Sequence, residues 1–432
     1  MNILSNRLKR MILSTFFIFI IQLVFVAFLL LIIIGGLFGN IYRNINTWLV
    51  IPGWMVFITL LILISGKTWC LVCPWNTMAL WLQRLKFFGR TNNLFSLNLK
   101  WIAPFRNMWL ASVLLVIIIG LEYVFNMTDS PRLTAYIALI ILAAAIISAL
   151  LFERQSFCRY VCPVGAVSGV YSMLSPLELR SADKDACQKC ATKDCIKGND
   201  RGYACPVFEY PGRMDTSLYC ILCTECIRTC PKDNIAVNIR SPFSELAGLS
   251  RSGEFPPVSD RSEIWMIVLL LVMSLFGAVS LSPRYQAITV LMGQWLGFNV
   301  GISLIFSSSV LLGIILFMLI NYGFRRAAYA IIPLTLFFHL ANTVKLVDLR
   351  GAEIVALISD PFGLRWNLFG TAGYLANPLM APATLWYINT ALIALGIIVA
   401  LWLAIRMRIK AVGLLGLLIF ALIAGYFHWI LI

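Results

Sequence analysis

Residues 220–231 read CILCTECIRTCP, four cysteines at C-x2-C-x2-C-x3-C followed by proline. Three thiolates two residues apart wrap one corner of an iron–sulfur cubane, and a fourth that precedes a proline reaches the other cluster in two-cluster ferredoxins. The spacing therefore predicts [4Fe–4S] ligation and one-electron chemistry. A buried cluster of free thiols is the competing reading, and it would not require this regularity.

A second set precedes the run: Cys187-x2-Cys190-x4-Cys195-x9-Cys205-Pro206. It is the same pattern with insertions after its second and third cysteines, and the terminal Cys-Pro survives. The ferredoxin swap assigns Cys187, Cys190, Cys195 and Cys230 to one cluster. It assigns Cys205, Cys220, Cys223 and Cys226 to the other. A zinc site of four cysteines is the alternative for the irregular set; the total of eight ligands and the paired Cys-Pro ends favour two cubanes.

The surrounding chain is apolar. Of 432 residues 60% are hydrophobic and 12% charged, and 13 are tryptophan, which places the bulk in lipid with aromatic belts at the interfaces. Nine runs are long enough to cross: 11–36, 48–66, 107–125, 134–152, 263–281, 302–322, 327–345, 385–405 and 411–431. The first is too long for a signal-peptide core, no small-residue cleavage site follows it, and no twin-arginine signal precedes it. The expected fold is an all-α polytopic membrane protein with a cytoplasmic N-terminus and an inserted bacterial-type 2[4Fe–4S] ferredoxin module. Residues 1–152 form a four-helix membrane core, 153–240 the second Cys-Pro pair and the dicluster module, and 241–262 a Ser/Pro/Gly-rich linker. A five-helix extension, 263–432, carries a long outer loop at 346–384.

A net charge of +15 could suggest a nucleic-acid partner, but residues 153–262 hold 14 Lys+Arg against 13 Asp+Glu and are nearly neutral. The excess sits in short loops beside apolar runs, so no nucleic acid is expected. With the N-terminus inside, 14 loop cations, Lys67, Arg84, Lys86 and Arg325 among them, fall on the cytoplasmic side against six outside. That puts the ferredoxin module on the cytoplasmic face of a bacterial or archaeal inner membrane.

The first half contains a repeat. Two helical hairpins each end in a cysteine pair and a proline: Cys70, Cys73 and Pro74, then Cys158, Cys162 and Pro163. Residues 75–90 read as an interfacial helix after the first pair. The four cysteines are a candidate redox or metal site at the membrane face, since C-x-x-C thiols can be activated. Burial as small apolar side chains is the alternative. The two histidines, His339 and His428, lie in separate spans at different depths, so haem is not expected. His339 is a possible quinone contact, with Asn342 and Lys345 one or two turns on; satisfaction by a backbone carbonyl is the alternative. No phosphate loop, dinucleotide fingerprint or hydrolytic nucleophile is evident.

Hairpins ending in Cys-Pro pairs, followed by a two-cubane module, resemble the NapH/NosR-type membrane polyferredoxins over residues 1–240. The resemblance implies electron transfer between the quinone pool and a partner reductase in a respiratory pathway. Related members reduce copper while assembling oxidases, so a metal reductase or assembly factor is the alternative. A thiol-redox transducer is a third. Residues 1–432 are expected to depart from the family, with no stretch that reads as a periplasmic flavin-binding domain or an immunoglobulin-like domain and with five further helices beyond the four-span core.

Overall fold

The computed structural model describes residues 14–40, 44–87, 91, 94–125, 127–248, 260–280, 283–296, 298–323 and 325–409. Among them seven helices are long and apolar enough to cross a membrane: Thr15–Phe38, Trp54–Arg84, Pro131–Leu151, Arg261–Ala278, Ser303–Ile320, Ala327–Arg350 and Pro382–Arg406. The expected span at 107–125 is a shorter apolar helix, Trp109–Phe125, and the expected span at 411–431, with His428, lies outside the described residues. The chain divides into two compact units. One comprises residues 1–34, 60–111 and 135–257, and the other residues 35–59, 112–134 and 258–432. All twelve cysteines fall in the first.

Residues 15–34 of α1 (Thr15–Phe38) and 60–65 of α2 (Trp54–Ser65) belong to the first unit, and α2 leads to the first cysteine pair. Gly66 ends α2 at φ +67, a left-handed conformation that strains any side-chain-bearing residue, and a Cβ there would stand 3.1 Å from that of Ser172. The chain then turns through Trp69–Val72 into α3 (Pro74–Arg84). Pro74 occupies the first helical turn, where its missing N–H costs nothing. The interfacial helix expected over 75–90 stops at Arg84, because Leu85 turns left-handed (φ 48) and the Leu85 and Lys86 amides close back onto the Leu82 and Trp81 carbonyls. Its position is held by Trp75 Nε1 donating to the Ala138 carbonyl at 3.0 Å and Gln83 Nε2 to that of Ala149 at 2.6 Å. Both acceptors lie on α5 (Pro131–Leu151), which follows α4 (Trp109–Phe125) in the chain.

After α5 comes a π-turn at Phe157–Val161 and then α6 (Pro163–Ser172), with Pro163 again in the first turn. Gly169 on α6 is needed for close approach: a Cβ there would stand 2.3 Å from the Leu218 carbonyl oxygen. The module beyond is framed by β1 (Leu177–Ser181) and β2 (Ile235–Ile239), antiparallel, with Leu177 opposite Ile239 and Ser181 opposite Ile235. The pair brings together the two ends of the segment holding eight cysteines. Four buried charges brace it. Arg180 meets Glu245 at 2.8 Å, Arg240 meets Glu178 at 3.3 Å and also pairs with Glu245, and the Ser217 amide donates to Glu245 at 2.9 Å.

The second unit is built on α7 (Arg261–Ser280), α8 (Pro283–Leu296), α9 (Phe298–Gly323), α10 (Arg325–Arg350) and α11 (Pro382–Arg406). Leu334, Phe338 and Ala341 of α10 pack with Ile393 and Ala400 of α11. Tyr329 donates to the buried Glu263 carboxylate at 2.9 Å, and Asn342 to the Ser274 carbonyl at 2.7 Å. Between α10 and α11, Asp348 accepts the Met380 amide and Asp360 those of Leu364 and Arg365, which orders part of the segment 346–384.

Candidate functional site

Short helices and turns position the eight module cysteines. Asp183 caps the helix Lys184–Gln188, accepting the Asp185 and Ala186 amides, and that helix carries Cys187. Cys195 sits on Asp194–Lys197, and Cys226 on Glu225–Thr229. Around Cys223 the backbone is strained: Leu222 (φ 54) and Thr224 (φ 63) are both left-handed without being glycine. Such residues persist only where their surroundings over-determine them. Here they wrap the loop about a small cavity lined by Cys205, Cys220, Cys223 and Cys226. Each of these four thiols lies within Coulombic range of the other three.

The remaining module cysteines gather as a second group. Cys187 interacts with Cys190 and Cys230, and Cys195 with all three. Asn234 bridges two of them, its amide donating to Cys230 Sγ at 3.3 Å and its Nδ2 to Cys187 Sγ at 3.2 Å. The Cys205-Pro206 end repeats the first of these bonds, with the Glu209 amide donating to Cys205 Sγ at 3.3 Å. At both module Cys-Pro ends the N–H four residues after the cysteine thus faces its sulfur, the kind of hydrogen bond that tunes cluster potentials. The two groups adjoin, since Cys187, Cys195 and Cys226 are buried in one apolar cluster.

Cys70, Cys73, Cys158 and Cys162 come together as a third group. All six pairs among them are within Coulombic range. Asn76 spans the two pairs, accepting from Cys158 Sγ at 3.3 Å and donating to the Cys70 carbonyl at 3.4 Å. Cys70 packs with Cys205, Val207 and Ile221, and Cys223 lies against the same cluster. Among the described residues no three Cys, His, Asp or Glu side chains stand close enough to hold a single metal ion. A cubane ligates each thiolate through a separate iron, so looser quartets with inward N–H donors fit it.

Several partners were not legible in the sequence. Lys67, counted there as a loop cation, is buried at 2% exposure. Its Nζ lies 3.5 Å from the Leu218 carbonyl and 5.9 Å from the Tyr219 ring. Arg84 stacks on Tyr203, 4.1 Å from the ring centre. His339 is half-buried on α10, and its carbonyl accepts from Thr343 at 2.8 Å; it belongs to the other compact unit.

The comparisons with known proteins fall on the repeat. Residues 47–92 and 134–179 each match the 4Fe-4S binding domain family. One match contains Cys70 and Cys73, the other Cys158 and Cys162. The chain is also 26% identical over 152 residues to the "Putative electron transport protein YccM" of Escherichia coli K12, covering 33% of this chain and 35% of that one. It is 27% identical over 104 residues to the "Ferredoxin-type protein NapH" of the same organism, covering 24% and 36%. The chain thus spans about a third of the length of these curated relatives. No solved structure matches. The resemblance to membrane polyferredoxin-type electron-transport proteins and the iron–sulfur character of the chain are borne out.

The thiols differ in readiness to ionise. Burial first, then Cys187, pushes Cys195 up to about 11. The half-exposed Cys190 is lowered, first by the Lys193 backbone N–H and then by the Thr192 hydroxyl. In cluster-free protein near neutral pH, iodoacetamide is expected to label Cys190 at least about tenfold faster than Cys195, because the thiolate is the nucleophile and its higher population outweighs its lower basicity. Time-resolved peptide mass spectrometry would check this, and equal rates would contradict it.

Proposed function

We propose that this chain is a membrane-bound electron-transfer subunit that relays electrons between the quinone/quinol pool and a partner reductase. Two [4Fe–4S] clusters carry them, one ligated by Cys187, Cys190, Cys195 and Cys230 and the other by Cys205, Cys220, Cys223 and Cys226. The observation that carries this reading is the interleaving of two cysteine quartets that adjoin in the apolar cluster around Cys195 and Cys226. When bound, each cubane takes up and returns one electron. The chain's own part is to fix the sulfurs, direct the Asn234 and Glu209 amides at two of them, and bury the inner group. Half-exposed Cys190 leaves the outer group open to a partner.

The membrane placement rests on seven apolar helices and on the distribution of loop cations, which favours the cytoplasmic face of an inner membrane for the module. The linear division at 152, 240 and 262 follows from the same reading. His339, with Asn342 and Lys345, is the proposed quinone contact. Oxidation of a quinol yields two electrons and two protons, and single-electron carriers accept the electrons one at a time.

The test uses the full chain in liposomes under anaerobic conditions. Added menaquinol or ubiquinol should bleach the iron–sulfur absorbance, a quinone-site inhibitor should block the bleaching, and His339→Ala should raise the quinol concentration needed. Bleaching by dithionite but by neither quinol would overturn the quinol relay.

A further inference from the structure

The chain has twelve cysteines, and the two proposed clusters use eight. We propose that the other four, Cys70, Cys73, Cys158 and Cys162, together ligate a third [4Fe–4S] cluster, built from one cysteine pair of each copy of the repeat. This rests on the reading of the chain as an iron–sulfur relay and extends it. Each copy supplies two thiols, half of what a cubane takes, so neither can complete a site alone. The fold brings the halves together, with every pair of thiols among the four in range.

Local structure suits anionic sulfur. Cys73 and Cys162 are the N-cap residues of α3 and α6, helices of 11 and 10 residues, each with proline in its first turn. The Gly165 amide donates to Cys162 Sγ at 3.4 Å. Unsatisfied N–H groups at a helix start favour a thiolate. Gly165 also permits the close turn, since a Cβ there would stand 2.9 Å from the Cys158 carbonyl oxygen.

Lys67 supplies an independent pointer to an anion. It is nearly fully buried, its hydrogen-bond acceptor is a backbone carbonyl at 3.5 Å, and the groups that act on it electrostatically are Cys70, the cation Arg159, Cys162 and Cys158, so two cations adjoin these thiols. A buried ammonium facing neutral thiols is costly, whereas four thiolates around a cubane carrying two positive charges leave a net negative site. Disulfide exchange fits the site less well, because Cys70 and Cys158 are buried at 5% and 9% exposure and an incoming thiol must reach sulfur. Assembly balances as four thiols losing four protons and forming four iron–sulfur bonds to a preformed [4Fe–4S] core of charge +2, delivered by a cluster carrier whose own four bonds to the core break, so no change of oxidation state is needed.

The position gives the cluster a place in the sequence of transfers. Cys70 shares an apolar cluster with Cys205 and Cys223, ligands of the inner module cluster. Electrons at the membrane face would therefore pass to the Cys205 group and then, through Cys226 and Cys195, to the Cys190 group.

The test is iron and acid-labile sulfide on full-length protein purified anaerobically. Wild type should hold about twelve of each per chain, and Cys158→Ser or the half-exposed Cys73→Ser about eight, with the electron paramagnetic resonance signals of the two module clusters retained. Lys67→Met should keep about twelve iron and shift the third cluster's reduction potential to more negative values, with Lys67→Arg restoring it. About eight iron in wild type, unchanged in both serine variants, would overturn the third cluster and leave the two-cluster relay standing. Copper or zinc in place of the extra iron would also overturn it. Iron near zero would bring down both.

Discussion

Cys230→Ser is expected to remove the cluster whose other ligands are Cys187, Cys190 and Cys195, and to spare the one nearest it in sequence. The physical reason is the swap. Cys230 lies in the same run as Cys220, Cys223 and Cys226, yet its sulfur interacts with Cys187 and Cys195 and shares Asn234 with Cys187. Paired substitutions make the result decisive, because groups acting on one site are non-additive and groups on separate sites add. Cys230→Ser with Cys187→Ser should lose about four iron, no more than either alone, whereas Cys230→Ser with Cys220→Ser should lose about eight. Electron transfer from quinol to the module surface should fall by orders of magnitude in each case, since the outer cluster is the exit. If Cys230→Ser and Cys220→Ser together cost only about four iron, each run would hold its own cluster.

The second large effect is on stability. Glu245→Ala should loosen the module by about 3–5 kcal/mol, the usual cost of removing one partner of a buried ion pair. Its carboxylate is 1% exposed and meets Arg180 and Arg240, which are 6% and 7% exposed, so both guanidiniums would lose a counter-charge. The Ser217 amide would lose its acceptor as well. Ser217 begins the approach to the Cys220 run, and Arg180 and Glu178 lie on β1, so the damage should reach the clusters. The readout is the temperature at which the iron–sulfur absorbance is lost on heating. It should fall markedly for Glu245→Ala and less for Glu245→Gln, which keeps one acceptor. An unchanged temperature for Glu245→Ala would show the network to be ornamental.

These particulars show which parts of the molecule its sequence displays. Cysteine spacing is local and chemically constrained, so the run at 220–231 and the swapped partner Cys205 could be read directly. Apolar runs gave most of the spans for the same reason, since bilayer thickness fixes helix length. What escaped depends on distant contacts. Glu245 lies in a stretch read as a linker by its Ser, Pro and Gly content, yet Ser244 to Ala247 are buried. Lys67 looked like a loop cation because nothing adjacent in sequence announces its burial. The meeting of Cys70 with Cys205 is a product of packing between segments 135 residues apart. Helix α8 at Pro283–Leu296 also went unread, being shorter than a span.

The central claim is that reducing equivalents move through interleaved iron–sulfur sites in this chain. Low-temperature electron paramagnetic resonance of the full-length protein, reduced stepwise against a known potential, tests it most directly. The expected result is [4Fe–4S]-type signals that broaden as neighbouring clusters fill, because the Cys195 and Cys226 groups adjoin in one apolar cluster and spins that close couple. A single isolated signal, or none at any potential, would contradict it.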